Sequence, residues 1–326
     1  MHNLKHFQSL IENQLKDLHF NAKPVQLYEP IRYMLTLGGK RMRPSLLLIA
    51  NDLFGGNVND ALMPACGIEV FHNFTLLHDD IMDNAPVRRA KQTVHEKWNS
   101  NIAILSGDAM FVKSVQMISS VQEDHLKKVL DLFNSTALEV CEGQQMDMDF
   151  ESRHDVQIDE YIEMIRLKTA VLLAASLEIG AITANANIKQ AEILYDFGIN
   201  LGIAFQLQDD LLDVYGNKEN FGKQVGGDII SNKKTFLLLK ALELAEGENL
   251  NRLQGLMNNT GVSMNANDKV EAVTALYDSV GVKELTQQKI DSYFNEAKHL
   301  LNKIDVSSEK KQILIELMDK LYVRDV

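Results

Sequence analysis

The amino-acid sequence predicts an all-α protein, and three observations carry that reading. All five prolines (Pro24, Pro30, Pro44, Pro64, Pro86) lie in the first 86 residues, so about three quarters of the chain lacks the residue most disruptive to helices. Apolar residues recur at three- and four-residue steps over Leu126 to Val140, Tyr161 to Ile182, Ala191 to Leu212, Thr235 to Leu244 and Val270 to Val280, and strand-type alternation is scarce. The stretch from Leu285 to Leu321 repeats that spacing with charge on its other face. Short turn signals separate the segments: Leu37-Gly38-Gly39, Phe54-Gly55-Gly56-Asn57, Ser106-Gly107-Asp108 and Tyr215-Gly216-Asn217. None has the character of an interdomain linker, so a single domain over residues 1–326, with ten or more helices, fits best. The longest break is Gly216 to Asn232, where Gly222, Gly226 and Gly227 stand beside lysines and acids; it reads as a functional loop with at most short helices.

Composition narrows the class. With 326 residues, 45% of them hydrophobic and 24% charged, the chain can bury a large core and is neither disordered nor a membrane protein. The start, Met1-His2-Asn3-Leu4-Lys5-His6, lacks the order of a secretion signal, and no apolar run approaches the roughly 20 residues that span a bilayer, so a cytoplasmic location is expected. Cys66 and Cys141 sit within apolar helical patterns and read as small core residues. A net charge of −12 argues against a nucleic-acid partner, which binds through unopposed basic clusters.

The most telling feature is a duplicated acidic pattern. Asp79-Asp80-Ile81-Met82-Asp83 and Asp209-Asp210-Leu211-Leu212-Asp213 each lie in a run that reads as helix, and the outer aspartates of each, four residues apart, share a face. Three carboxylates on one turn repel unless a cation neutralises them. Two such turns facing across a cavity would make a cage of oxygen ligands, which suits magnesium. A solvated helix face would explain one copy, but the apolar neighbours of both (Leu76, Leu77, Ile81; Phe205, Leu207, Leu211) make it a poor account of two.

Basic residues form three groups near these carboxylates: Lys40, Arg41 and Arg43; Arg88 and Arg89; and Lys223 and Lys233. Cations close to paired carboxylates point to a ligand with several negative charges, and a diphosphate held by metal on one side and basic side chains on the other satisfies both sets. Lys40 and Arg43 are three apart and would be neighbours on a helix. Lys168 lies in the otherwise apolar segment Ile165 to Ile179, where an unpaired ammonium is costly, so a buried anion is expected beside it. His72 is close to two helical turns before Asp79, on nearly the same face, with a core histidine as its bland alternative.

Taken in order, Gly39-Lys40-Arg41-Met42-Arg43-Pro44, His78-Asp79-Asp80-Ile81-Met82-Asp83, Arg88-Arg89, Gly143-Gln144 with Asp147, Lys168-Thr169, Phe205-Gln206 with the second acidic motif, and Lys223 with Lys233 resemble the ordered motifs of the trans-isoprenyl diphosphate synthases, the polyprenyl synthetase family. The resemblance runs from about residue 36 to 240 and implies an isoprenoid-synthase bundle of helices around a central cavity. It further implies that Lys40, Arg43, His72 and Arg89 hold isopentenyl diphosphate. Asp79, Asp83 and Asp209 would ligate a cluster of three magnesium ions, with Asp80, Asp210 and Asp213 in support. Arg88, Lys168, Thr169, Gln206, Lys223 and Lys233 would contact the allylic diphosphate. Ionisation of the allylic diphosphate, attack by the alkene and loss of a proton, in the family to the departing diphosphate, make up the reaction; the Gly216 to Asn232 loop would close over it. The family is usually dimeric, so a homodimer is implied.

Chain length follows from the same resemblance. In the family the residues four and five before the first aspartate floor the product pocket; here they are Thr75 and Phe74, an arrangement similar to that of enzymes that stop at geranylgeranyl diphosphate (C20), with farnesyl diphosphate (C15) next. Ordinary core packing is the alternative for Phe74 and Phe71. Two other functions compete. A class I terpene cyclase needs no Lys40, Arg43 and Arg89 pocket, and a non-catalytic prenyltransferase subunit should have lost a ligand where none is missing.

Overall fold

The computed structural model describes residues 3–18, 20–216, 226–257 and 265–322, and these are helical almost throughout. Tertiary contacts group the chain into two compact units. One comprises Met1–Ala137, Leu172–Tyr195 and Ile304–Leu314; the other comprises Leu138–Val171, Asp196–Lys303 and Ile315–Val326.

In the first unit, α1 (Leu4–Asp17) is started by Asn3, whose side chain accepts from the His6 N–H, and buries Phe7, Ile11 and Leu15 at four-residue steps. Helices α2 (Val25–Thr36) and α3 (Met42–Leu53) lead to α4 (Val58–Met82), a long helix apolar on most sides and accordingly central. Its broadest packing is against α6 (Ser100–Ile118), with α5 (Val94–Lys97) between them in sequence. Pro30 and Pro64 lie inside α2 and α4, which continue through them at the loss of one main-chain hydrogen bond each. The turn expected at Ser106-Gly107-Asp108 is absent, because those residues lie within α6. Gly107 is there for proximity: a Cβ on it would stand 2.2 Å from His78 Nε2. A two-residue hairpin, β1 (Val87–Arg88) and β2 (Lys91–Gln92), follows α4, and its turn residues Arg89 and Ala90 both have positive φ, 53° and 60°, as a tight right-twisted hairpin requires.

The second unit takes the later part of α7 (Glu123–Ser152), α8 (Ile158–Ile165) and the π-helical turn (Arg166–Ala170) that follows it; the chain continues directly into α9 (Val171–Thr183), which belongs from Leu172 to the first unit. The helix expected from Tyr161 to Ile182 is thus realised with its hydrogen bonding loosened at the centre. α10 (Ile188–Tyr215) enters the second unit at Asp196. After it come α11 (Gly227–Ile230), α12 (Phe236–Leu244), α13 (Gly247–Met257) and α14 (Ala266–Ser279). The amphipathic stretch from Leu285 to Leu321 is divided between α15 (Val282–Lys303) and α16 (Ser308–Tyr322). Cys66 is buried as expected, whereas Cys141 lies on an exposed face of α7. No helix among the described residues is long and apolar enough to cross a membrane.

Candidate active site

The first acidic motif terminates its helix. Asp83 caps α4, its N–H donating to the Asp79 carbonyl at 2.9 Å, and Asn84 turns the chain at φ 49°. The hairpin that follows returns Arg88 to the motif: its Nε donates to Asp80 Oδ1 at 2.8 Å, and Nη2 lies 3.4 Å from Asp79 Oδ2. Asp80 is only 2% exposed. Burial raises its carboxyl pKa and the Arg88 charge opposes that rise. Asp79 is half-buried and Asp83 exposed, so the two outer carboxylates are the accessible ones.

Arg89 lies against Gly39, where a Cβ would come within 2.9 Å of Nη1. His72 Nε2 is 3.3 Å from Arg43 Nη1. Burial, reinforced by the charges of Arg43, Arg89, Arg88 and Arg41, holds the His72 imidazole well below its ordinary pKa, so the ring is neutral. Since Arg43 can only donate, Nε2 accepts and the proton sits on Nδ1. Arg43 Nε is buried with no hydrogen-bond partner among the described residues, an orphaned cationic donor that suits an anion. Lys40 is not its helical neighbour: Gly38 (φ 81°), Gly39 (φ 146°) and Arg41 (φ 47°) form a left-handed turn, and α3 starts only at Met42. Backbone conformation, which residue spacing does not reveal, separates the two cations.

Beneath this turn of α4 lies an aromatic cluster. The Phe74 ring centroid is 4.7 Å from His78, 5.5 Å from Phe111 and 5.6 Å from Phe71, and Phe71 is in turn 5.2 Å from Phe133. Phe71 is a core residue, whereas Phe74 keeps part of its surface accessible. Thr75 is tied to the helix, its hydroxyl donating to the His72 carbonyl at 2.8 Å.

The second motif lies inside α10, and its middle carboxylate is buried among neutral partners. Tyr161 donates its hydroxyl to Asp210 Oδ2, Gln206 Nε2 donates to Oδ1 at 2.9 Å, and Thr169 Oγ1 donates to Gln206 Oε1 at 3.1 Å. Burial, with the Asp228 charge next, pushes the Asp210 carboxyl up to about 7, against the pull of Lys233 and of its two hydrogen bonds. Asp213 Oδ2 accepts from the Asp228 N–H at 2.9 Å, which fixes the start of α11 at the end of the motif. Tyr161 escaped the sequence reading; its place seven residues before Lys168, close to two helical turns, was the available signal.

Lys168 sits in the π-helical turn, a deviation that often marks functional sites. Two glycines let other helices approach that turn: a Cβ at Gly143 of α7 would lie 2.4 Å from the Lys168 backbone nitrogen, and one at Gly202 of α10 would lie 2.6 Å from Ala170 Cα. The anion expected beside Lys168 is a carboxylate of the protein itself, Asp147 Oδ2 at 2.6 Å. The two are 21 residues apart, beyond what a local apolar pattern reports. Lys233 belongs to the same neighbourhood through its charge on Asp210, whereas Lys223 lies outside the described residues.

Among the described residues no three histidine, cysteine or carboxylate side chains converge into a ready-made metal cage. Arg88 already engages two carboxylates of the first motif, and Tyr161 and Gln206 engage the middle one of the second. The remaining oxygen donors suit an ion that keeps water and takes phosphate oxygens in its shell, which is the habit of magnesium.

Each compact unit carries one aspartate-rich turn and nearby basic side chains, the groups that an enzyme acting on a polyanionic diphosphate with a divalent cation requires. The family model for polyprenyl synthetase matches residues 24–277, and the chain belongs to that family of trans-prenyltransferases. It is 35% identical to a geranylgeranyl diphosphate synthase of Methanosarcina mazei, over 99% of this chain and 97% of that one. It is also 35% identical to a geranylfarnesyl diphosphate synthase of Natronomonas pharaonis, over 93% and 91%. A crystal structure of geranylgeranyl pyrophosphate synthase superimposes with a TM-score of 0.94 at 42% identity, covering 100% of both chains. None of these relatives is a terpene cyclase, and the cyclase reading has no support.

Proposed function

We propose that this prenyltransferase condenses isopentenyl diphosphate with allylic diphosphates and releases the C20 product, geranylgeranyl diphosphate. The observation that carries the product length is the half-buried Phe74, seated on Phe71 and Phe111 one turn before Asp79, together with the geranylgeranyl synthases among the relatives. The family match over residues 24–277 takes in residues of both compact units, which supports reading them as one domain.

In this reading Lys40, Arg43, Arg89 and neutral His72 hold isopentenyl diphosphate. Arg43 Nε gains the partner it lacks, and a neutral His72 offers its Nδ1 proton to a phosphate oxygen without adding charge. Asp79, Asp83 and Asp209 would hold magnesium, three ions per site, with Asp80 and Asp213 keeping those carboxylates in place. Bound magnesium supplies electrostatic stabilisation of a diphosphate leaving group. Arg88, Lys168, Thr169, Gln206, Lys223 and Lys233 contact the allylic diphosphate, and the cationic members stabilise charge that grows on it as the carbon–oxygen bond breaks. The alkene of isopentenyl diphosphate then bonds to the allylic carbon, and the departed diphosphate takes a proton from the adjacent carbon, whose C–H electrons restore a double bond. The chain acts as a homodimer, a reading supported by Ile104, Leu105 and Val112, exposed along one stripe of α6.

The test is to incubate the purified protein with magnesium, isopentenyl diphosphate and dimethylallyl, geranyl or farnesyl diphosphate in turn, and to identify products by mass spectrometry. A dominant C20 product is expected. Products of C15 or C25 would keep the reaction and overturn the Phe74 floor, and no elongation with any starter would point to a non-catalytic subunit.

A further inference from the structure

The basic motif near the start of α3 contains one arginine that the proposed pocket does not use. Arg41 stands between Lys40 and Arg43, yet it is 4% exposed and every nitrogen of its guanidinium is committed inside the protein. Nε donates to Glu12 Oε1 at 2.7 Å, Nη1 to Glu69 Oε1 at 2.5 Å, and Nη2 to the Leu35 carbonyl at 2.8 Å. Such an arginine cannot grip a diphosphate. Its backbone is left-handed (φ 47°), a conformation that disfavours a non-glycine residue and persists only where the surroundings impose it.

Those surroundings converge on one turn. Glu12 comes from α1, and a second α1 residue, Gln8, donates from Nε2 to the Lys40 carbonyl at 2.7 Å. Glu69 comes from α4, three residues before His72, and also accepts from Asn73 Nδ2 at 3.0 Å. Glu69 is in addition the leading opposite charge felt by Arg43 and Arg89, so one buried carboxylate attracts three arginines.

We infer that Arg41 is a positioning residue for isopentenyl diphosphate: pinned between Glu12 of α1 and Glu69 of α4, it sets the Gly38–Arg41 turn so that Lys40 and Arg43 can reach the same diphosphate. α1 is then a working part of the substrate site, although none of its residues touches substrate. The inference rests on Lys40, Arg43, His72 and Arg89 being the isopentenyl diphosphate pocket.

Steady-state kinetics on the full chain, with each substrate varied in turn, test it using Arg41→Met, Glu12→Gln and, as a reference, Arg43→Ala. Arg41→Met should raise the KM for isopentenyl diphosphate about tenfold, as misplacement of a binding group does, with the KM for the allylic diphosphate changed less than about twofold. Glu12→Gln, at a side chain 39% exposed and so tolerant of change, should move the same constant in the same direction by a smaller factor. It decides the matter if Arg41→Met does not fold. If Arg43→Ala raises the KM for isopentenyl diphosphate while the Arg41 and Glu12 variants leave it unchanged, or raise both KM values alike, the positioning role is overturned and the pocket stands. If Arg43→Ala leaves that KM unchanged, the pocket reading fails and the inference fails with it.

Discussion

The two acidic motifs are near-copies in sequence and differ in how the fold treats them. In the first, the helix ends on the motif and the middle carboxylate, Asp80, is buried against a cation, Arg88 at 2.8 Å. In the second, the helix runs just past the motif to Tyr215, and Asp210 is buried against the neutral donors Tyr161 and Gln206. At Asp80 the Arg88 ion pair opposes the cost of burial, whereas at Asp210 burial and the Asp228 charge outweigh Lys233 and two hydrogen bonds and raise the carboxyl to about 7. The outer carboxylates are the more accessible ones at both motifs. A middle aspartate can therefore serve as an internal anchor in two electrostatically opposite ways while its neighbours remain available to a ligand.

The most severe test of that distinction removes the outer carboxylates. Asp79→Ala and Asp209→Ala should each reduce turnover by about 10³-fold or more with an unchanged far-UV circular dichroism spectrum, and chelation of divalent ions should do the same to the unaltered protein. Activity retained in either variant would break the equivalence of the two motifs. Next in size is what lies under the first motif. Phe74→Ala should lengthen the product beyond C20 on mass spectrometry, whereas Phe71→Ala, within the core, should cost about 3–5 kcal/mol in urea denaturation.

The middle aspartates give a smaller and more discriminating contrast. Asp80→Asn removes the nearer of the two carboxylates that engage Arg88 and should destabilise by about 1–3 kcal/mol. Asp210→Asn keeps an acceptor for Gln206 and a group that can bond Tyr161, and should cost less than about 1 kcal/mol. Equal losses in urea denaturation would erase the difference between the two environments. The smallest effect concerns His72. Its folded pKa lies below the ordinary value of about 6.5, so below that pH the unfolded chain binds a proton that the folded chain refuses. Stability should fall as pH drops below 6.5, by at most about 1.4 kcal/mol per unit, and His72→Gln should flatten that part of the profile.

Much of the architecture was legible in the chain. The apolar spacing of Ala191 to Leu212 became α10, and the glycine pairs at residues 38–39 and 55–56 became turns, because helix formation and chain reversal depend on residues within a few positions of one another. Gly107 reads as a turn yet lies within a helix, because a glycine needed for close packing and one needed for chain reversal are the same letter; only His78, which would stand 2.2 Å from a Cβ placed there, tells them apart. Lys168 was rightly expected to face an anion, but Asp147 could not be singled out among the carboxylates of the chain. Lys40 and Arg43 were paired by count, and the left-handed backbone at Arg41 separated them.

The sequence by itself determined that this protein is helical, where its acidic and basic motifs stand, and to which family it belongs, since periodicity, propensity and motif order are local properties of the chain. Tertiary structure alone decided which charges satisfy one another: Arg88 with Asp80, Lys168 with Asp147, Arg41 with Glu12 and Glu69, Tyr161 with Asp210. Hydrogen bonds and ion pairs act over a few ångströms between residues 8 to 49 positions apart, and only the packed fold makes those distances short.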